Sequence, residues 1–262
     1  MAKTILVIVP HPDDAEFYAG GTLAQFAKAG ERVIIVTTTN GAKGSFELTA
    51  EQLIEIRRTE ALSAGKRLGA ERVIFLGYTD LELDRIEPYE LRERYVRLIR
   101  EYKPDVLMTE DYLYTAETHP DHRIVARLAS EAVTFANLPL LYPEHLKEGL
   151  DIHFTPDKYY YTEDLDAANH IVDISDTFDD KMAALCEHKS QMKFLVEDIL
   201  RQAQVAGLDL KAMLGDTLDD PNSAMRLAMQ MKAVEVGAKA GYGMGEAFRT
   251  MRFHPLIEGL LS

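Results

Sequence analysis

The sequence predicts an α/β protein, a mainly parallel sheet with helices on both faces and a helical C-terminal extension. Three observations predict it. Short apolar runs alternate with helix-length stretches through the first 135 residues, glycine or proline falls where those helices should stop, and from Thr177 the chain turns to helical periodicity.

Ile5 to Val9, Arg32 to Thr38, Arg72 to Leu76 and Asp105 to Thr109 read as buried strands. Between them Ala15 to Ala29, Ala50 to Leu68 and Tyr89 to Tyr102 have helix length, and Gly30, Gly69 and Pro104 stop them. Arg123 to Phe135 adds a helix with apolar Ile124, Val125, Leu128, Ala129, Ala132 and Val133 on one face. Asn137 to Pro156, with three prolines, reads as a long surface loop, and Lys158 to Thr162 and His170 to Ile174 as two more strands. Beyond Thr177, Met182, Leu185, Cys186, Phe194 and Leu195 have amphipathic spacing, and Ser223 to Ala240 forms a helix after the acidic stretch Asp216 to Asp220. No repeat or low-complexity linker interrupts the chain, so residues 1–262 read as one Rossmann-like domain, with 1–176 the α/β core and 177–262 its helical extension.

Lys and Arg number 29 against 43 Asp and Glu, a net charge of −14, which argues against a nucleic-acid partner. The basic cluster Arg92, Arg94, Arg97 and Arg100 is interleaved with Glu90, Glu93 and Glu101 and reads as a solvated helix face. The lone Cys186 excludes an intrachain disulfide and suits a reducing compartment. No apolar run reaches the ~18 residues of a membrane span, and the expectation is a soluble, cytoplasmic protein.

Chemistry concentrates in two segments. Pro10-His11-Pro12-Asp13-Asp14 leaves the first strand where open α/β sheets place their crevices, and His119-Pro120-Asp121-His122 follows the fourth by a loop. Imidazole and carboxylate at such spacing suit a divalent ion: zinc, with Fe2+ and Co2+ as chemical alternatives. A catalytic zinc site uses three protein ligands, so of His11, Asp13, Asp14, His119 and His122 some are left for proton chemistry. Taken singly, each segment could be a Pro and Asp turn; two of them at one sheet edge favour a site. Gly20-Gly21-Thr22 does not make a dinucleotide fingerprint, because the first strand-to-helix turn carries His-Pro-Asp-Asp, and these glycines instead suit close helix packing. Asp173, His145, His153, His170 and His254 read as structural, His188 as intermediate, and Met225, Met229 and Met231 as core or subunit-contact residues.

At these residues the chain resembles the LmbE-like, or PIG-L, family of zinc-dependent N-deacetylases. The resemblance rests on His11-Pro12-Asp13-Asp14-Ala15-Glu16 and His119-Pro120-Asp121-His122. It extends through Gly20-Gly21-Thr22, Arg57-Arg58-Thr59-Glu60-Ala61, Leu76-Gly77-Tyr78 with Asp80, His188-Lys189-Ser190-Gln191 and Gly245-Glu246-Ala247-Phe248. It implies His11, Asp14 and His122 as ligands of one zinc ion per chain, Asp13 as general base, and His119 as the group that stabilises the oxyanion or assists the leaving amine. Arg57 and Asp80 align with positions that hold a sugar-like substrate, although as an ordinary helix arginine Arg57 would pair with Glu60. Asp121 suits a second-layer carboxylate that orients a histidine. Two departures stand out: Pro10 replaces the usual alanine, and Glu117 stands where some thiol-pathway relatives carry a tyrosine.

The expected activity is metal-dependent removal of an acetyl group from an N-acetylated amino sugar or its small conjugate, by a homo-oligomer, trimer or hexamer as in relatives. Two rivals keep the metal: a hydratase or lyase acting on a small carboxylic acid, and a non-catalytic sugar-binding protein whose helical tail meets a partner. A pure binder would need neither Asp13 nor His119, and both motifs intact favour hydrolysis.

Overall fold

The computed structural model describes residues 2–215, 220–253 and 255–261. Residues 216–219 of the acidic stretch and His254 lie outside the described residues. Seven strands, β1 (Thr4–Val9), β2 (Arg32–Thr39), β3 (Arg72–Tyr78), β4 (Val106–Glu110), β5 (Asp157–Tyr161), β6 (His170–Asp173) and β7 (Gly245–Met251), form one sheet in the order β3-β2-β1-β4-β5-β7-β6. The first five are mutually parallel, and β7 runs antiparallel to both β5 and β6.

The helices are α1 (Asp14–Lys28), α2 (Ala50–Leu68), α3 (Pro88–Tyr102), α4 (Pro120–Phe135), α5 (Glu144–Lys147), α6 (Phe178–Leu185), α7 (Lys189–Val205), α8 (Leu210–Leu214), α9 (Pro221–Ala238) and α10 (Pro255–Leu261). Alternation along β1 sorts them into layers. Leu6 and Ile8 pack with α3 and α4, whereas Ile5, Val7 and Val9 pack with α1 and α2, so both faces of the sheet are covered. Thr49 starts α2 with a capping box to Gln52, and Gly69 ends it at φ 81°, a left-handed conformation that glycine adopts without steric cost. Among the described residues no helix is long and apolar enough to cross a membrane.

Three sequence expectations change. First, β7 lies inside the segment expected to be helical. Its opening Gly-Glu-Ala lacks apolar alternation because the buried inward residue is Glu246, and its pairing partners are distant in sequence. Second, Arg100 is not on a solvated face: it is fully buried. Its guanidinium donates to the carbonyls of Ala136, Leu138, Leu141 and Tyr142 and contacts His145 Nδ1 at 3.1 Å. Third, the 137–156 segment is therefore not a simple surface loop. Arg100 gathers four carbonyls of this segment and its approach onto one guanidinium, adding to the amides of His153, Leu141 and His145 that Ala136, Leu138 and Tyr142 also accept; Tyr142 and His145 are buried around it, and the segment includes the short α5.

The glycine pair in α1 has the packing role its sequence suggested. A Cβ on Gly21 would stand 2.7 Å from Ile174 Cγ2, and one on Gly20 would stand 2.9 Å from Lys181 Cγ. This close approach admits a buried clamp. Glu246 accepts hydrogen bonds from the Gly21 amide (2.9 Å), the Thr22 amide (2.8 Å), the Thr22 hydroxyl (2.6 Å) and Lys181 Nζ (2.6 Å). Lys181 also donates to the Phe17 carbonyl at 2.7 Å. Glu246→Gln keeps the shape of the clamp but leaves the Lys181 charge uncompensated, and should cost about 3–5 kcal/mol of stability. Denaturant midpoints at constant m would show it, and a loss below about 1 kcal/mol would mean the ion pair is dispensable.

Candidate active site

β1 and β4 are neighbours in the sheet, but the chain leaves β1 toward β2 and leaves β4 toward β5 on the other side. A crevice opens at such a switch point beyond the carboxyl ends of the strands. Pro10 ends β1 with its carbonyl accepting the Thr39 amide (2.8 Å) and hydroxyl (3.0 Å), so the replacement of alanine there leaves a well-anchored strand end. The His11 amide then donates to Asp14 Oδ2 at 2.7 Å, closing a turn that sets imidazole beside carboxylate. Asp13 is the N-cap of α1, but its side chain makes no capping bond. On the facing side His119 caps α4, Pro120 occupies its first turn, and His122 follows one turn in.

These turns converge. His11 Nδ1 is 3.0 Å from His122 Nε2 and 3.3 Å from Asp14 Oδ2, and His122 Nε2 is 3.7 Å from Asp14 Oδ1. Each imidazole is backed by acids on its far nitrogen. His11 Nε2 faces Asp80 Oδ1 at 3.3 Å and Asp121 Oδ2 at 3.5 Å, and His122 Nδ1 faces Glu110 Oε1 at 2.8 Å and Glu117 Oε2 at 3.3 Å. Carboxylates at those positions favour the ring protons on the far nitrogens, which turns two lone pairs and the Asp14 carboxylate toward one point. Two imidazole nitrogens and one carboxylate oxygen, all buried, fit a divalent ion. Ligand atoms also lie within 4.8 Å of one another in three overlapping sets, His11-His119-His122, His11-Asp80-His119-Asp121 and Asp14-Glu110-His122.

The electrostatics agree. Burial works against charge on His122, yet Asp14, Glu110 and Glu117 around it raise its pKa to about 11. Burial would raise Asp14, but His122 and His11 bring it down to about 2. This pocket of anions calls for positive charge. Burial and the adjacent Asp14 push Asp13 above the usual carboxylate range, making it a better proton acceptor, while Arg57 and His188 oppose the rise. His119 is held below the usual imidazole range by burial and by its neighbours His11 and His122. Its Nδ1 accepts the Asp121 amide at 3.3 Å, which puts the proton of the neutral ring on Nε2.

A cavity of about 520 Å3 is lined by His11, Asp13, Asp14, Arg57, Asp80, His119 and His122. Seven of the eight residues singled out in the sequence thus share one pocket. The eighth, Asp121, is fully buried behind it, where its Oδ2 lies 3.5 Å from His11 Nε2 and its carboxylate accepts the amides of Leu81 (2.7 Å) and Leu83 (3.4 Å). Arg57 does not pair with Glu60. It donates to Gln191 Oε1 and to the Gly44 carbonyl, and Glu60 instead takes the amide and hydroxyl of Ser190. Gly41, at φ 63°, makes room for it, since a Cβ there would lie 2.7 Å from Arg57 Cδ. Asp80 both accepts the Lys43 amide at 3.0 Å and backs His11.

Sequence reasoning missed Glu110, gave Glu16 no role although it ends the first motif, and left His188 undecided. Glu110 ends β4, the same strand-end rule that marked His11. His188 is buried with Nε2 3.3 Å from Glu16 Oε2; burial opposes its charged form, and Glu16 and Asp13 outweigh it and raise its pKa. Glu117, the departure noted above, accepts the His119 amide at 2.6 Å as well as backing His122.

Residues 6–133 match the family PIG-L, GlcNAc-PI de-N-acetylase. Diacetylchitobiose deacetylase of Thermococcus kodakarensis is 35% identical over 194 residues, 72% of this chain and 70% of that protein. The N,N'-diacetylchitobiose deacetylase structure from Pyrococcus horikoshii superposes with a TM-score of 0.78 at 31% identity, covering 96% of this chain and 84% of that one. The 4-carboxy-2-hydroxymuconate hydratase from Pseudomonas putida has a TM-score of 0.70 over 96% of this chain and 97% of that one, but at 20% identity it shares the fold alone.

Removing an acid that backs a metal-binding histidine typically weakens metal affinity about 10–100-fold. Glu110→Ala should show that loss in a chelator competition with zinc, and unchanged affinity would mean Glu110 does not support His122.

Proposed function

The chain belongs to the PIG-L family of de-N-acetylases, and from that premise we propose that it is a zinc-dependent hydrolase that removes the acetyl group from N-acetylglucosamine units of small glycosides such as diacetylchitobiose. The convergence of His11 Nδ1, His122 Nε2 and Asp14 beside an uncapped Asp13 carries this reading. Residues 1–262 are read as one catalytic domain, supported by the clamp that fastens β7 and α6 to α1. A homo-oligomer is part of the proposal, on the strength of the family resemblance.

His11, Asp14 and His122 would hold the ion, with a position left open for water and substrate. A divalent ion there supplies Lewis acidity, which polarises an amide carbonyl and lowers the pKa of water. Asp13 takes a proton from the attacking water, its basicity raised by burial and by Asp14. His119, with its proton on Nε2, donates a hydrogen bond to the developing oxyanion, and the proton taken up by Asp13 passes to the departing nitrogen. Arg57, braced by Gln191 and Gly44, and Asp80 hold the sugar hydroxyls. The C–N bond breaks, water supplies the new carboxylate oxygen, and the products are acetate and a free amine.

Acetate release from diacetylchitobiose, paired with metal analysis of the purified protein, tests the reading; neither acetate nor metal would defeat it. Asp13→Ala should retain metal yet lose about 10²–10⁴-fold in kcat. His11→Ala and His122→Ala should lose metal and activity together, as measured by metal content per chain alongside turnover.

A further inference from the structure

A second cavity, about 570 Å3, lies on the other side of His122. His122 and Tyr18 wall both cavities, whereas Lys43, Arg57 and Asp80 line only the first. The first therefore sits over the loops that follow β1, β2 and β3, and the second over those that follow β4 and β5. An amide cleaved at the switch point with its sugar on Arg57 and Asp80 would direct its acyl group to the second side.

The inner wall of that side is mainly aromatic despite its charged lining, because its inner charges are already engaged. Glu110 faces His122 Nδ1 at 2.8 Å, and Glu117 takes the His119 amide. Asp111 receives the Arg249 guanidinium, and Arg123 donates to the carbonyls of Glu117 (3.1 Å) and Thr118 (2.9 Å). Arg127 pairs with Glu131 at 3.5 Å, and exposed Thr115 and Glu163 complete the polar lining. The apolar surface offered to a ligand is the rings of Tyr18, Tyr112, Tyr114 and Tyr161 together with Ile124 and Ala126, with the buried Tyr161 hydroxyl as a polar group among them. Tyr18 and Tyr161 stack at 4.8 Å with planes 7° apart, and Tyr18 meets His122 edge-on at 6.5 Å, so this aromatic wall reaches the metal-binding histidine. A cavity of this size far exceeds the needs of an acetyl methyl.

We propose that this tyrosine-walled cavity is an acyl subsite, and that the protein hydrolyses N-acyl glucosamines with acyl chains longer than acetyl. The inference rests on the active-site reading above. The reaction is the same: the amide C–N bond breaks, water's oxygen joins the acyl carbon, a proton reaches the nitrogen, and a fatty carboxylate and glucosamine leave. Each methylene buried against such a wall strengthens binding by up to about fourfold.

The test compares N-acetylglucosamine, N-hexanoylglucosamine and the hexyl glycoside of N-acetylglucosamine on the full-length, metal-loaded protein, in wild type, Ala126→Leu and Tyr112→Ala. Ala126→Leu fills the cavity from α4; Tyr112 is 40% exposed, so its truncation spares the core. The expected result is hexanoate release with a KM about tenfold below that for the acetyl sugar. Both variants should erase this gap and leave acetate release from N-acetylglucosamine unchanged. Acetate without hexanoate, a gap that survives both variants, or a gap that instead follows the hexyl glycoside would overturn the acyl subsite while leaving the deacetylase reading intact. Hexanoate without acetate would overturn the N-acetyl reading and keep the subsite, and release of neither acid would overturn both.

Discussion

The amides of Gly21 and Thr22, in the middle of α1, donate to the carboxylate of Glu246 on β7, and the Phe17 carbonyl receives Lys181 from α6, so the position of α1 is fixed by a buried ion pair reaching into its backbone. Much of the site hangs on that position. The same helix begins with Asp13 and Asp14, presents Glu16 to His188, and sets Tyr18 between the two cavities. A buried pair is not a strong source of net stability, but it is selective: only one placement of α1 satisfies both charges. The bare backbone at Gly20 and Gly21 is the steric condition for it.

From that scaffold follows the electrostatic character of the crevice. Asp14, Asp80, Glu110, Glu117 and Asp121 surround two imidazoles, and the acids are divided between a shared inner point and the outer ring nitrogens. Low dielectric magnifies each interaction, so the arrangement is at once costly without a cation and well formed for one. Asp13 lines the same cavity with its side chain uncommitted to the helix cap, which leaves its carboxylate free for the proton transfer proposed for it.

The parallel part of the fold was legible because its causes are local. Continuous apolar runs made β1 to β4, helix stops at Gly30, Gly69 and Pro104 set the spacing, and the first histidine segment leaves a strand end at the sheet edge where the fold places its crevice, the second returning to it across a loop. The less legible parts have nonlocal causes. β7 hides a charged residue in its inward face, Arg100 is buried because the 137–156 segment wraps over it and turns carbonyls onto its guanidinium, and Glu110 meets His122 only because α4 carries that histidine back onto it.

The sequence by itself determined the class of fold, the chemistry of the two motifs and the family, since strand and helix periods and ligand types are properties of neighbouring residues. Tertiary structure alone decided that His11 and His122, distant in the chain, point their nitrogens at one another. It also decided that Arg57 turns to Gln191 rather than Glu60, and that a second, tyrosine-walled cavity shares His122. The physical reason is the same throughout: burial and hydrogen-bond satisfaction are settled between segments far apart in the chain, and the periodicity of any one segment carries no record of its partner.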